Sequence, residues 1–132
     1  MKTIGDYAFE VTTRLSFDEA IARATALLAE QGFGVLTEID VQATMKKKLD
    51  VDVPPYRILG ACNAPYAHRA LGVEPHVGVL LPCNVVVWDA GDHRVVAAME
   101  PKLMARIIDR PEMGVIADEV SARLHAVLEQ IG

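Results

Sequence analysis

Residues Val77 to Trp88 read VGVLLPCNVVVW, twelve residues without a charge and with Pro82 and Cys83 at their centre. In an acidic chain such a run predicts a strand covered on both faces. Pro82 has no N–H to give to a sheet ladder, so the ladder is expected to break or bulge beside Cys83. Alternation along the strand puts Val79, Leu81, Cys83, Val85 and Val87 on one side, where they read as core. Leu80, Val86 and Trp88 fall on the other side. A thiol beside a local strand defect is the nearest feature to a chemical site that this stretch offers.

Working outward, Tyr7 to Leu15 alternates as a half-buried strand. Ser16 followed by Glu19 is a capping box that opens a helix with the apolar stripe Phe17, Ile21, Ala24, Leu27 and Leu28. Gly32 supplies the left-handed stop. Gly34 to Asp40 is a second strand, and Asp40 caps a short helix with Val41, Met45 and Leu49 at i, i+4 spacing. The prolines in Asp50 to Pro55 make a loop, and Tyr56 to Cys62 returns as a strand. Asn63 is expected to cap a short helix ended by Gly72, and Glu74-Pro75 to turn into the Cys83 strand. Beyond it, Asp89 to Asp92 is a hairpin connection, Arg94 to Met99 a strand, and Lys102 to Asp109 a short helical piece. A final helix runs from about Val115 to Ile131 on the stripe Ile116, Val120, Leu124, Val127, Leu128 and Ile131. Strand, helix, four strands and a long helix define an α+β class, β-α-β(4)-α. Its sheet is largely antiparallel, with the helices on one face.

The 132 residues make one domain, residues 1–132, large enough for a real core. Apolar residues make up 52% and aromatics only 5%, so the core is aliphatic. Thirteen basic against eighteen acidic residues give a net charge of −5, which excludes a phosphate-neutralising surface and hence nucleic acid as a partner. Lys46-Lys47-Lys48 is too short to reverse that and reads as a solvated helix face. No run approaches the roughly 20 apolar residues of a membrane span. Met1 to Asp6 carries no apolar stretch of a secretory leader. With two cysteines, the expectation is a cytoplasmic protein with free thiols and no membrane association.

Three segments together resemble a known family. GFGVLTEIDVQATMKKKL (Gly32 to Leu49), PPYRILGACNAPYAHRAL (Pro54 to Leu71) and GVLLPCNVVVW (Gly78 to Trp88) are similar to the domain-of-unknown-function 302 family, in order and with compatible spacing. The matching positions are Asp40, Pro55, Tyr56, Cys62, Asn63, Leu81, Pro82, Cys83 and Asn84. The resemblance implies a TATA-binding-protein-like or helix-grip-like α+β fold in small proteins that tend to form dimers. It implies no activity.

The candidate binding residues are Cys62, Asn63, Cys83, Tyr56 and His68; no residue set qualifies as catalytic. Apolar neighbours should bury Cys83 and raise its pKa, making it a packed thiol rather than a nucleophile. Cys62 sits just before the Asn63 helix, where free N–H groups and the helix dipole favour a thiolate, although small buried cysteines at strand ends are common. If their strands are neighbours, a disulfide is geometrically possible, but a reducing compartment argues against a permanent one. The histidines His68, His76, His93 and His125 show no metal-binding spacing. A Cys62–His68–Cys83 site is conceivable, and the default for His93 and His125 is solvation. Glu38 and Asp40 share a strand face and could act as a pair, though capping accounts for Asp40 without catalysis.

A helix laid across a sheet encloses a groove, and where side chains do not fill it the groove becomes an apolar pocket. The leading expectation is therefore a non-enzymatic homodimer binding a small apolar ligand or a protein partner in that groove, its cofactors unknown. The alternatives are a thiol-dependent protein handling sulfur, redox equivalents or a soft metal through Cys62 and Cys83, and a purely structural self-associating protein.

Overall fold

The computed structural model describes residues 1–132. Six antiparallel strands form one sheet in the order β1-β2-β6-β5-β4-β3. They are β1 (Lys2–Ile4), β2 (Ala8–Thr13), β3 (Gly34–Asp40), β4 (Tyr56–Cys62), β5 (Cys83–Asp89) and β6 (Arg94–Met99). The expected β-α-β(4)-α order is present, preceded by β1, a three-residue edge strand too short to show a period in the sequence.

Helix α1 (Phe17–Glu30) begins where expected: the Ser16 hydroxyl accepts the Glu19 N–H at 3.2 Å, and the Glu19 carboxylate accepts the Ser16 N–H at 3.3 Å. Gly32 stops it at φ +86°, a left-handed conformation that glycine adopts without strain. Helix α2 (Val41–Leu49) is capped by Asp40, whose carboxylate accepts the Ala43 N–H at 2.9 Å, and it buries no residue. The last helix, α5, runs from Pro111 to Ile131, one turn longer at its start than its apolar stripe suggests. Proline fits that first turn because its missing N–H has no intrahelical acceptor there. Every residue of the expected stripe, Ile116 to Ile131, is buried.

The core lies between α1, α5 and one face of the sheet, filled by Phe9, Val11, Leu59, Val85, Val87 and Val96 from the strands. Val95, the alternate neighbour of Val96, is 5% exposed yet lies outside that cluster. It points to the opposite face, with Ala97 and Met99 of β6, Val86 and Trp88 of β5, and Tyr56 and Ile58 of β4.

The stretch from Val77 to Trp88 divides in two. Pro75–Leu80 is a 3-10 helix, started by Pro75 and by the Glu74 carboxylate accepting the His76 N–H at 3.1 Å. The strand begins only at Cys83, after a cis Leu81–Pro82 peptide. Pro82 therefore marks the start of the ladder rather than a bulge within it. The face expected to carry Val79 is corrected accordingly: Val79 is 85% exposed, and Leu80 packs against the core from the helical turn. On the other side of Pro82, Gly60 is boxed in, since a Cβ there would lie 2.8 Å from the Pro82 ring and would collide with the Thr37 hydroxyl.

A polar clasp closes the corner between sheet and α5. Glu100 follows β6, and its carboxylate accepts the Ser121 hydroxyl at 2.8 Å and lies 3.0 Å from Nε2 of His125. The His125 ring stacks on Phe9 with centroids 3.8 Å apart. His125 is thus half-buried and partnered, not solvated as its helix position suggested.

Candidate functional site

β4 leads directly into α3 (Ala64–Val73), so Cys62 closes a strand and stands two residues before a helix. Antiparallel pairing with β5 sets Ala61 opposite Cys83, which brings the two thiols onto neighbouring strands at one end of the sheet. Both line a small cleft of about 30 Å³ together with Asn63, Tyr66, Leu81 and Met104. Met104 comes from α4 (Lys102–Ile107), and α5 adds Ile116 and Val120. A water needs roughly 10–15 Å³, so the space holds about two of them, whereas drug-sized ligands occupy roughly 300–1,000 Å³. The groove between sheet and helices is otherwise packed.

Cys83 is 5% exposed, and its thiol is pushed up to about 11 by burial, with the charge of an ionised Cys62 adding to it. At neutral pH it is a thiol and a poor nucleophile, as the apolar surroundings predict. Cys62 is half-buried, and both cysteines are free. Asn63 occupies the N-cap position of α3, but its side chain makes no capping bond. Its Nδ2 donates instead to the Gln31 carbonyl at 3.1 Å, satisfying an acceptor left over at the end of α1. That long-range bond replaces the expected cap and ties the cleft to α1.

Tyr66 stands at the cleft with two cations on it: the guanidinium carbons of Arg69 and Arg123 each lie 5.5 Å from the ring centroid. Arg123 also donates to the Tyr66 hydroxyl and to the Gln31 carbonyl, both at 3.2 Å.

The remaining candidates lie elsewhere. His68 is on the exposed side of α3 and does not line the cleft. No three His, Cys, Asp or Glu side chains gather anywhere, so a Cys62–His68–Cys83 site does not form. Tyr56 belongs to the sheet face away from α1 and α5, stacked on Trp88. Glu38 and Asp40 are ion-paired to Arg57 at 2.6 and 3.6 Å, which accounts for both without acid–base chemistry. Sequence reasoning missed Met104, a methionine in a short helix with nothing in its spacing to mark it. It also missed the Glu100–Ser121–His125 clasp, whose signal was a Ser and a His four residues apart beside the buried stripe of α5.

These features define a two-layer α+β domain with a helix layer on one side of an open antiparallel sheet and two cysteines at one end of that sheet. The chain belongs to the DUF302 family: the family described as "Domain of unknown function DUF302" matches residues 9–131. It is also similar to the crystal structure of an uncharacterized conserved DUF302 protein from Bacillus stearothermophilus, at 28% identity and a TM-score of 0.89. That similarity covers 97% of this chain and 100% of the other. No curated protein matches the chain. No helix is long and apolar enough to cross a membrane.

Proposed function

We propose that the protein is a non-enzymatic binding domain that works as a homodimer, with the second copy docked on the sheet face away from α1 and α5. What carries this reading is the composition of that face. Its side chains on the three strands β4, β5 and β6 are Tyr56, Ile58, Val86, Trp88, Val95, Ala97 and Met99, with Asn84 as the only polar one. Beside them Tyr7 and Leu103 extend the apolar surface into a shallow groove. A sheet with two apolar faces needs a cover on each, and the chain's own core helices pack on the other one. Those three strands, about 4.8 Å apart and about 20 Å long, present roughly 300 Å² per copy, or roughly 600 Å² for a pair, so the flanking strands must join the contact to bring it to the roughly 1,000 Å² of a stable interface. A two-fold axis through the face would set the same patch against itself.

The binding role follows from capacity. The sheet–helix groove keeps only the small thiol-lined cleft, so an apolar ligand larger than a few atoms has its place at the paired sheet faces. Against catalysis stand the neutral thiol of Cys83 and the ion-paired state of Glu38 and Asp40. Native mass spectrometry of protein taken from its own cells reads copy number and bound small molecule together. A mass of two chains is the expected result, and a mass of one chain would overturn the proposal.

A further inference from the structure

The open sheet face is hollow at one place. Ala97 stands beside Val86 across β5 and β6, and Ala8 stands beside Met99 across β2 and β6, so small side chains alternate with large ones there. Tyr7, from the turn before β2, and Leu103, from α4, complete a groove of about 230 Å³. Asn84 of β5 is its one polar side chain apart from the Tyr7 hydroxyl. We propose that this groove binds a neutral aromatic molecule of one or two rings carrying one hydroxyl or carbonyl, with that group on the Asn84 amide and a second copy of the chain as the roof. The site rests on the pairing of sheet faces proposed above, since a single chain leaves it open on its outer side.

The lining selects the ligand. Drug-sized molecules occupy pockets of roughly 300–1,000 Å³, so a groove of about 230 Å³ takes something smaller. Met99 offers a thioether and Tyr7, 54% exposed, offers a ring, and both make favourable contacts with aromatic rings. A flat ring also suits the space between two facing sheets, whose backbones lie about 10 Å apart. No charged side chain lines the groove, so an ionised carboxylate or amine would lose its hydration there without gaining a counter-charge.

Asn84 supplies the second constraint. It is exposed in one chain, where water serves its amide. Pairing of the sheet faces strips that water from a group with two N–H donors and a carbonyl acceptor, and a carboxamide left unpaired in apolar surroundings opposes association. A hydroxyl can accept from the Asn84 N–H or donate to its carbonyl, and a ligand carbonyl can accept from the N–H. The ligand thus replaces the lost water, fills the hollow above the two alanines and strengthens the pairing by mass action.

The test is equilibrium dialysis of the full-length protein against 2-naphthol, naphthalene and 2-naphthoate, with sedimentation equilibrium on the same samples. The expected result is a wild type of two chains that takes up one 2-naphthol per chain, holds it about fivefold more tightly than naphthalene, as one hydrogen bond allows, and leaves 2-naphthoate free. Asn84→Leu should still take up naphthalene but lose the preference for 2-naphthol, and Ala97→Phe, which fills the hollow, should take up neither. Near-ultraviolet circular dichroism confirms that each variant is folded. The site is overturned if a paired wild type takes up no 2-naphthol, if it holds naphthalene or 2-naphthoate as tightly, if Asn84→Leu keeps the preference, or if Ala97→Phe still binds. Those results leave the pairing of sheet faces standing, whereas a wild type of one chain removes the roof and overturns both.

Discussion

Tyr56 and Trp88 face each other across β4 and β5 in direct register, with ring centroids 5.7 Å apart and planes 6° from parallel. Aromatic pairs of this kind contribute about 0.5–1.5 kcal/mol beyond the area they bury, and on a sheet the directly opposed position is where side chains interact most strongly. The pair lies on the face that the core helices leave alone. Trp88 is the only tryptophan of the chain. Tyrosine and tryptophan are also the residues that anchor protein interfaces, since each joins a large apolar area to one hydrogen-bonding group.

Leu124 is fully buried on α5, at the middle of the stripe that closes the core. Leu124→Ala should lower the unfolding free energy by about 2–5 kcal/mol, measured by urea titration. A loss below about 0.5 kcal/mol is what a peripheral helix would give.

Gly60→Ala puts a methyl group against the Thr37 hydroxyl and the Pro82 ring, and neither is the free end of a flexible chain. Overpacking of this sort costs about 1–3 kcal/mol. Thermal unfolding of Gly60→Ala alongside Gly60→Ala/Thr37→Ala should show part of the loss recovered in the double variant; equal stability of wild type and Gly60→Ala would refute the close approach.

Stability should depend on Glu100. Burial acts to raise its pKa, but hydrogen bonds from His125, Ser121 and the Lys102 N–H outweigh it and hold the carboxyl below its ordinary value. The unfolded chain returns that group to about 4.3. A folded pKa below the unfolded one means that the contribution is fully present above about pH 4.3 and disappears as the pH falls through the lower folded value. Glu100→Gln should therefore be less stable than wild type near neutral pH, with the gap narrowing on acidification. Urea midpoints at a series of pH values provide the comparison, and a gap that stays constant would show that the clasp does not act through its charge.

Labelling with iodoacetamide tests the surroundings of Cys83. With a pKa of about 11, Cys83 is a thiolate in only about one molecule in ten thousand at pH 7, and it is buried as well. Iodoacetamide should modify Cys83 only after denaturant is added, with peptide mapping as the readout. Rapid modification of Cys83 in the folded protein would reverse the account of its surroundings.

Much of the fold was legible because its signals are local. The Ser16–Glu19 box, the Asp40 cap, the alternation in β2 and the stripe of α5 are each decided by residues within a turn or two of one another. Val77 to Leu80 was misread for a physical reason: an apolar run with no period fits a buried strand and a helical turn equally, and Glu74 with Pro75 tips it to the turn. Asn63 fits a cap by its position, yet its side chain finds a carbonyl 32 residues earlier in the chain, an option invisible until α1 and α3 are packed. The cleft was half legible. Cys62 and Cys83 stood out as thiols, but that both residues line one cleft depends on the β4–β5 register, and Met104 arrives from beyond β6.

Sedimentation equilibrium of the wild type beside Val86→Lys tests the central claim, that the open sheet face pairs two copies. A buried lysine set against its own copy near a two-fold axis should not be tolerated. The account predicts the mass of two chains for the wild type and of one chain for a folded Val86→Lys. A wild type that stays at one chain at its highest soluble concentration, or a Val86→Lys protein that still pairs, would contradict it.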